Sequence, residues 1–384
     1  MKTPYQKNRN RAACSQSNPA FVACSTRHST DNEKFLEENK MLKTLMNTTM
    51  AAGFALLASV IHAEDYPTPI PLEDGAQAPI DAIAPKNEKF RIAYMPPATE
   101  FNYYIAIGEG IKAVAAEAGV EVFMLAPQSG ADINGQMGMI QDVLTQDVDA
   151  IIFGTHDEFA AAPLLKQAVD KGMAVLMINS DIPNFPTPIH GVVGYSQRNG
   201  THNIADWAIE NYGDKPLKVG IIEGQPGYHS TERVGGFLDG IDGNENFEVV
   251  VSIDGKWNVE GGNTAGMDIL QSHPDLDMIF AANDYMIIGA SFAAKALGRS
   301  DIVLLGNDGD TSGLEEIAAG NITATVNTSP FLMGRAAMQA TIDALNGSYP
   351  GGWIETPTSI EDKDGAISVL QEPEKLFPQP SKEY

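Results

Sequence analysis

At 384 residues the chain has room for two domains of ordinary size and an ample core. It carries 25 Lys and Arg against 50 Asp and Glu, a formal net charge of -25; the first 63 residues are net basic, so the remainder is more acidic still. Such a surface repels phosphate backbones and anionic lipid, which excludes nucleic acid as a partner.

Residues 1–40 are polar, lack periodicity and read as an extension upstream of the true start. Met41-Leu42-Lys43 is a short basic start, Met50 to Ile61 is apolar, and His62-Ala63 precedes an acidic, Pro-rich stretch. This is the layout of a secretory signal peptide over residues 41–63 with cleavage near Ala63, too short to span a membrane. Both cysteines, Cys14 and Cys24, lie upstream. The exported chain is therefore expected to have no disulfide, thiolate nucleophile, thiolate metal site or lipid anchor.

Residues 64–89 are rich in Pro and Ala and read as a flexible lead-in. From Arg91 apolar strand-like runs recur: Arg91–Met95, Val120–Leu125, Ala150–Phe153, Ala174–Ile178 and Val192–Gly194, then Lys218–Ile222, Phe247–Ile253, Asp277–Ala282, Ile302–Leu305 and Ile322–Val326. Amphipathic stretches of helical length separate nearly every pair, among them Tyr104–Ala118, Gly200–Asn211, Val234–Ile241 and Met286–Leu297. Alternation this steady means βαβ units and parallel sheets covered by helices. About ten strands exceed one comfortable sheet, so two doubly wound lobes are expected. The chain first crosses between them near Gly191–Tyr195, and the strong helix Met333–Ala344 is placed back on the first lobe.

The strands end in polar residues. Met278–Ala282 stops at Asn283-Asp284, where Asp284 is expected to cap the next helix and Asn283 to face the crevice outside the strand ends. Other runs end in Phe101-Asn102-Tyr103-Tyr104, Asn179-Ser180-Asp181, Trp257-Asn258, Asn307-Asp308 and Asn327-Thr328, and Thr231-Glu232-Arg233 leads a helix. Asn, Asp and Arg give directional bonds to hydroxyls, while Phe101, Tyr103, Tyr104 and Trp257 give flat apolar faces. A neutral polyhydroxylated ligand needs that combination, because its C–H faces stack on aromatics and each buried hydroxyl must be paired. His156 and His229 lie near strand ends, where a place on the cleft rim is one reading and a hydrogen-bonded loop histidine the favoured one; no histidine pair has zinc spacing.

Five of these segments, in order and spacing, resemble the ribose-type periplasmic sugar-binding proteins of ABC importers: Phe101-Asn102-Tyr103-Tyr104, Ile178-Asn179-Ser180-Asp181, Glu232-Arg233-Val234-Gly235-Gly236-Phe237, Phe280-Ala281-Ala282-Asn283-Asp284 and Gly306-Asn307-Asp308-Gly309. The resemblance implies two Rossmann-like α/β lobes with parallel sheets, joined by a three-crossing hinge and closing over a sugar. On that pattern lobe 1 comprises residues 90–193 and 329–357, lobe 2 comprises 194–328 and 358–376, and 377–384 form a tail. The implied ligand-binding residues are Phe101, Asn102, Tyr103, Tyr104, Asn179, Asp181, Arg233, Trp257, Asn283, Asp308 and Thr328. The implied partners are a small neutral sugar or polyol and the ABC permease, the implied compartment is the periplasm, and neither cofactor nor metal is expected. The protein is expected to act as a monomer. Phe101 in place of a polar contact, and Asn179-Ser180 in place of Asp-Arg, point to a hydroxyl pattern other than that of ribose.

A receptor of the same fold that presents its ligand to a sensor kinase or chemoreceptor is a second reading, and the residues do not separate the two. An enzyme is not expected. Asp308-Gly309-Asp310 resembles the start of a phosphatase site, but no lysine follows Asp310 until Lys363, and no downstream Asp-Asp pair is present. The dinucleotide fingerprint, the P-loop and the GxSxG elbow are all absent.

Overall fold

The computed structural model describes residues 66–371. The upstream extension, the signal-peptide segment and the tail lie outside the described residues. Two six-stranded sheets organise the chain. The first holds β1 (Arg91–Met95), β2 (Glu121–Met124), β3 (Ala150–Phe153), β4 (Ala174–Ile178), β5 (Gly191–Gly194) and β11 (Gly352–Glu355), in the order β11-β5-β4-β3-β1-β2. The second holds β6 (Leu217–Glu223), β7 (Phe247–Asp254), β8 (Met278–Ala281), β9 (Val303–Asp308), β10 (Ala324–Asn327) and β12 (Ser359–Glu361), in the order β12-β10-β9-β8-β6-β7. All pairings are parallel except β10 with β12. The central strands β3, β4 and β8 are buried throughout, which is why they read as unbroken apolar runs.

Among the described residues nine α-helices lie between the strands and a tenth follows the last: α1 (Asn102–Ala118), α2 (Ile133–Leu144), α3 (Glu158–Asp170), α4 (Gln197–Tyr212), α5 (Tyr228–Ile241), α6 (Val259–Ser272), α7 (Asp284–Ala296), α8 (Thr311–Ala319), α9 (Pro330–Leu345) and α10 (Lys363–Gln371). The chain passes between the sheets three times: from β5 to α4, from β10 to α9, and from β11 to β12. Helix α9 returns to the first lobe against α1. Gly110 and Gly334 let the two backbones meet there, since a Cβ on either would overlap a carbonyl of the other helix. In each lobe the strand order reverses beside the first strand, between β1 and β3 and between β6 and β8, which opens a crevice at the strands' carboxyl ends.

Three expectations are corrected. The lead-in is not free of structure from Tyr66 onward. Ile70 and Trp353 exchange backbone bonds of 2.7 Å, Ala78 N–H bonds the Ile189 carbonyl at 2.8 Å, and Gln77 donates to the His190 carbonyl and accepts from Gly352 N–H. Pairing with the sheet edge takes up its backbone groups, a long-range contact that local composition does not report. Helix α5 begins at Tyr228 rather than near Thr231, so Arg233 sits in its second turn. Asp284 is not a cap: Asn283 caps α7 by accepting Met286 N–H at 2.9 Å, and Asp284 is the first helical residue, fully buried. Its carboxylate accepts from Asp310 N–H at 2.9 Å and from the Thr325 hydroxyl at 2.5 Å, tying α7 to the β9–α8 loop and to β10.

Candidate functional site

The crevices of the two lobes face each other across one pocket that residues of both lobes line. Eight of the eleven sequence candidates line it: Phe101, Tyr103, Tyr104 and Asn179 from the first lobe, and Arg233, Trp257, Asn283 and Asp308 from the second. His156, His229 and Tyr285 complete the lining.

The first-lobe wall is aromatic. Phe101 precedes α1 in extended backbone, and Tyr103 and Tyr104 occupy its first turn. The rings pack edge to face, Tyr103 on Tyr104 at 5.4 Å and Phe101 on Tyr104 at 6.2 Å. Asn179, at the end of β4, fixes both phenols: it accepts from the Tyr103 hydroxyl at 2.9 Å and donates to that of Tyr104 at 3.2 Å. Burial pushes Tyr104 up to about 12, so it remains a neutral hydroxyl.

The second-lobe wall is built on Arg233, whose side chain is 4% exposed. Its guanidinium donates to Gln197 Oε1 at 2.8 Å, to the Ala282 carbonyl at 2.9 Å and to Asp308 Oδ1 at 2.9 Å. It also lies 5.5 Å from the ring centre of Trp257 and 5.7 Å from that of Tyr195. Nη2 makes no hydrogen bond to the described residues. Burial pushes Asp308 up to about 6 against the opposing pull of Arg233, so at neutral pH the pair is ionised. Asn283 donates to the Trp257 carbonyl at 3.1 Å as well as capping α7. The Trp257 indole lies over Gly224, where a Cβ would overlap it, so the stacking face depends on a glycine in the loop after β6.

Backbone conformation is unusual in the same places. Asn179, Lys256, Trp257, Asp308 and Ser329 are the non-glycine residues with positive φ among the described residues, and they lie at or just beyond the ends of β4, β7, β9 and β10. Each such residue costs on the order of 1–3 kcal/mol.

The lobes also touch directly. Tyr285 accepts from Asn102 N–H at 2.8 Å and donates to Asp310 at 3.1 Å, while its ring meets Phe101 at 5.3 Å. His156 stacks on Trp257 at 6.3 Å and 25°. These contacts roof the cavity.

Three candidates fall outside the lining. Asn102 contributes only its backbone N–H to Tyr285. Asp181 accepts from Gln197 N–H at 2.9 Å and from the Tyr228 hydroxyl at 3.1 Å, holding the start of α4. Thr328 is fully buried, donating to the Asp308 carbonyl at 2.8 Å and touching the Tyr103 hydroxyl at 2.8 Å. Conversely, the sequence reading passed over Tyr285, an aromatic directly after a polar strand end as Tyr103 is, and it favoured loop hydrogen bonding over a place on the cleft rim for His156 and His229. Each histidine has a hydrogen bond inside the chain and lines the cavity as well.

No group of His, Cys, Asp and Glu among the described residues has the geometry of a metal site. The cavity's ionic lining is one Arg–Asp pair, which suits a neutral ligand rather than an ionised one.

Comparison with known proteins agrees with this geometry. A model of the periplasmic binding protein domain matches residues 92–348. The ribose import binding protein of Bacillus subtilis is 29% identical over 260 residues, 67% of this chain and 83% of that protein. A D-ribose/D-allose-binding protein of Pseudomonas aeruginosa is 27% identical over 297 residues, 73% of this chain and 92% of that one. Among solved structures, a Mycobacterium smegmatis protein in complex with β-D-fucofuranose superposes with a TM-score of 0.68 at 25% identity, covering 75% of this chain and 96% of that one. The Caulobacter myo-inositol binding protein gives 0.68 at 24%, covering 76% and 99%, and shares the fold. The relatives are binding proteins for transport, not enzymes. The chain belongs to the periplasmic binding protein family, and the relatives it resembles include ribose- and allose-binding proteins.

Proposed function

We propose that the protein captures one neutral monosaccharide or polyol and delivers it, unchanged, to the permease of an ABC importer. The observation that carries this reading is the pairing of Arg233 with Asp308 in a pocket between the lobes whose other lining groups are neutral amides, rings and hydroxyls. Those groups stack C–H faces and pair buried hydroxyls. Phe101, Tyr103, Tyr104, Asn179, Arg233, Trp257, Asn283 and Asp308 form the binding set. Relatives named for ribose and allose, and a structural neighbour solved in complex with β-D-fucofuranose, support a sugar of five or six carbons. The segment from Met41 to Ala63 exports the chain to the periplasm, where it acts as a monomer.

The lobes close as the ligand contacts both, and the closed form is the one that docks on the permease. Calorimetry against pentoses, hexoses, sugar alcohols and cyclitols tests the reading: micromolar or tighter binding is expected, with the ligand recovered intact. Failure across the whole panel, or turnover of the ligand, rejects it.

A further inference from the structure

We infer that His156 and His229, one from each lobe, are held in opposite tautomers and select the ligand by the direction of its hydroxyl hydrogen bonds. His229 offers an N–H donor and His156 a bare acceptor nitrogen.

The assignment starts from Arg233, whose guanidinium can only donate. It bonds one end of the Gln197 amide, so that end is the oxygen and the other the NH2 group. The NH2 group then donates to the Asn179 carbonyl at 3.0 Å and to Nδ1 of His229 at 2.8 Å. A nitrogen that accepts carries no proton, so a neutral His229 is protonated on Nε2. His156 has the reverse arrangement. Its Nδ1 faces the Gly130 carbonyl at 3.4 Å, and a carbonyl only accepts, so the proton is on Nδ1 and Nε2 holds a lone pair.

Both rings line the cavity, His229 is 8% exposed, and neither Nε2 has a hydrogen-bond partner among the described residues. Burial lowers His156 to about 4 and His229 well below 6.5, with Arg233 acting on both in the same sense, so both are neutral at pH 7.

A ligand hydroxyl beside His229 must therefore accept, and one beside His156 must donate. Because the histidines belong to different lobes, a ligand that meets both conditions links the lobes. The inference rests on the sugar reading for the identity of the ligand but not for the state of the rings.

Two measurements test it. Long-range proton–nitrogen NMR of the full chain labelled with 15N, without added sugar, is expected to give His229 as the Nε2–H form and His156 as the Nδ1–H form at pH 7. Rings in the same tautomer, or either ring charged, overturn the inference whether or not a sugar binds. The second measurement is calorimetry with D-ribose, D-allose and myo-inositol and with monodeoxy and monofluoro analogues of those that bind. Fluorine cannot donate. At one position fluoro and deoxy analogues should weaken binding alike, by about tenfold, and His156→Phe should abolish that penalty. At another the fluoro analogue should retain part of the affinity lost by the deoxy analogue, and His229→Phe should remove the difference.

Penalties unchanged in both variants, with melting curves showing them folded, overturn the selecting role. If no member of the pentose, hexose, sugar-alcohol and cyclitol panel binds while the tautomers are as stated, the sugar reading fails and the ring pairing stands.

Discussion

The two walls of the cavity hold their polar groups by different means. On the first lobe, Tyr103 and Tyr104 are aromatic rings whose hydroxyls are fixed by the neutral amide of Asn179. On the second, a buried guanidinium is held by a carboxylate, an amide oxygen and a backbone carbonyl. Losing a hydroxyl from the first wall removes a neutral bond worth about 1 kcal/mol net, whereas losing one member of the second strands a charge in a place water reaches poorly. The first wall is therefore tolerant of substitution, and the second is coupled to the folding of its lobe.

The largest expected effect breaks the second wall. Arg233→Ala leaves Asp308 buried without its partner and should lower stability by about 3–5 kcal/mol, seen as a depressed Tm, together with loss of ligand binding. A Tm within a degree of wild type would mean that the ion pair does not anchor the lobe.

Next in size is the stacking face. Trp257→Ala should weaken ligand affinity by about 2 kcal/mol by calorimetry. Gly224→Ala should reproduce much of that loss without touching the indole, because the added Cβ displaces it. Equal affinities for Gly224→Ala and wild type would show that the indole does not need that seat.

A smaller effect is expected from the first wall and the roof. Tyr104→Phe and Tyr285→Phe should each cost about 1 kcal/mol of affinity, the first through Asn179 and the second through the lobe-to-lobe bond to Asn102. Tyr285→Phe should also raise the ligand off-rate, since its contact exists only with the lobes together; an unchanged off-rate would contradict that.

The smallest effect is a slope. His190 accepts Val175 N–H at 3.0 Å, and burial lowers it to about 4 from 6.5; His156 is lowered to about 4 as well. Their folded values lie below the unfolded ones, so the stability they contribute is complete above about pH 6.5 and is lost as pH falls through about 4. Asp308, raised by burial from 3.8 to about 6, acts in the opposite sense, since the fold takes up its proton more readily than the unfolded chain. Asp308→Asn should therefore steepen the fall of Tm between pH 6 and 4. A shallower fall than in wild type would reverse that assignment.

The fold was legible because buried parallel strands such as β3, β4 and β8 announce themselves as apolar runs, whereas β11 and β12, short edge strands of mixed polarity, carry no such run and were missed. Phe101, Tyr103, Tyr104 and Arg233 were legible through their place at strand ends and helix starts. The remainder depends on partners distant in sequence. Asp284 looked like a cap because it begins a helix, but its carboxylate reaches 26 residues to Asp310 and 41 to Thr325. Asp181 and Thr328 are polar residues at the right height that face the scaffold instead of the cavity. Gln197, which links Arg233 to Asn179 and His229, lies in a helix with no local feature to mark it.

The residues held at positive φ around the cavity bear on engineering as well as on recognition. Glycine at Asn179, Asp308 or Ser329 would relieve backbone strain, and a search for heat-tolerant variants will be drawn to such positions. Asn179 and Asp308 also orient the tyrosines and the arginine. A hardened version of this protein obtained at those two positions would lose the side chains that hold Tyr103, Tyr104 and Arg233 in place.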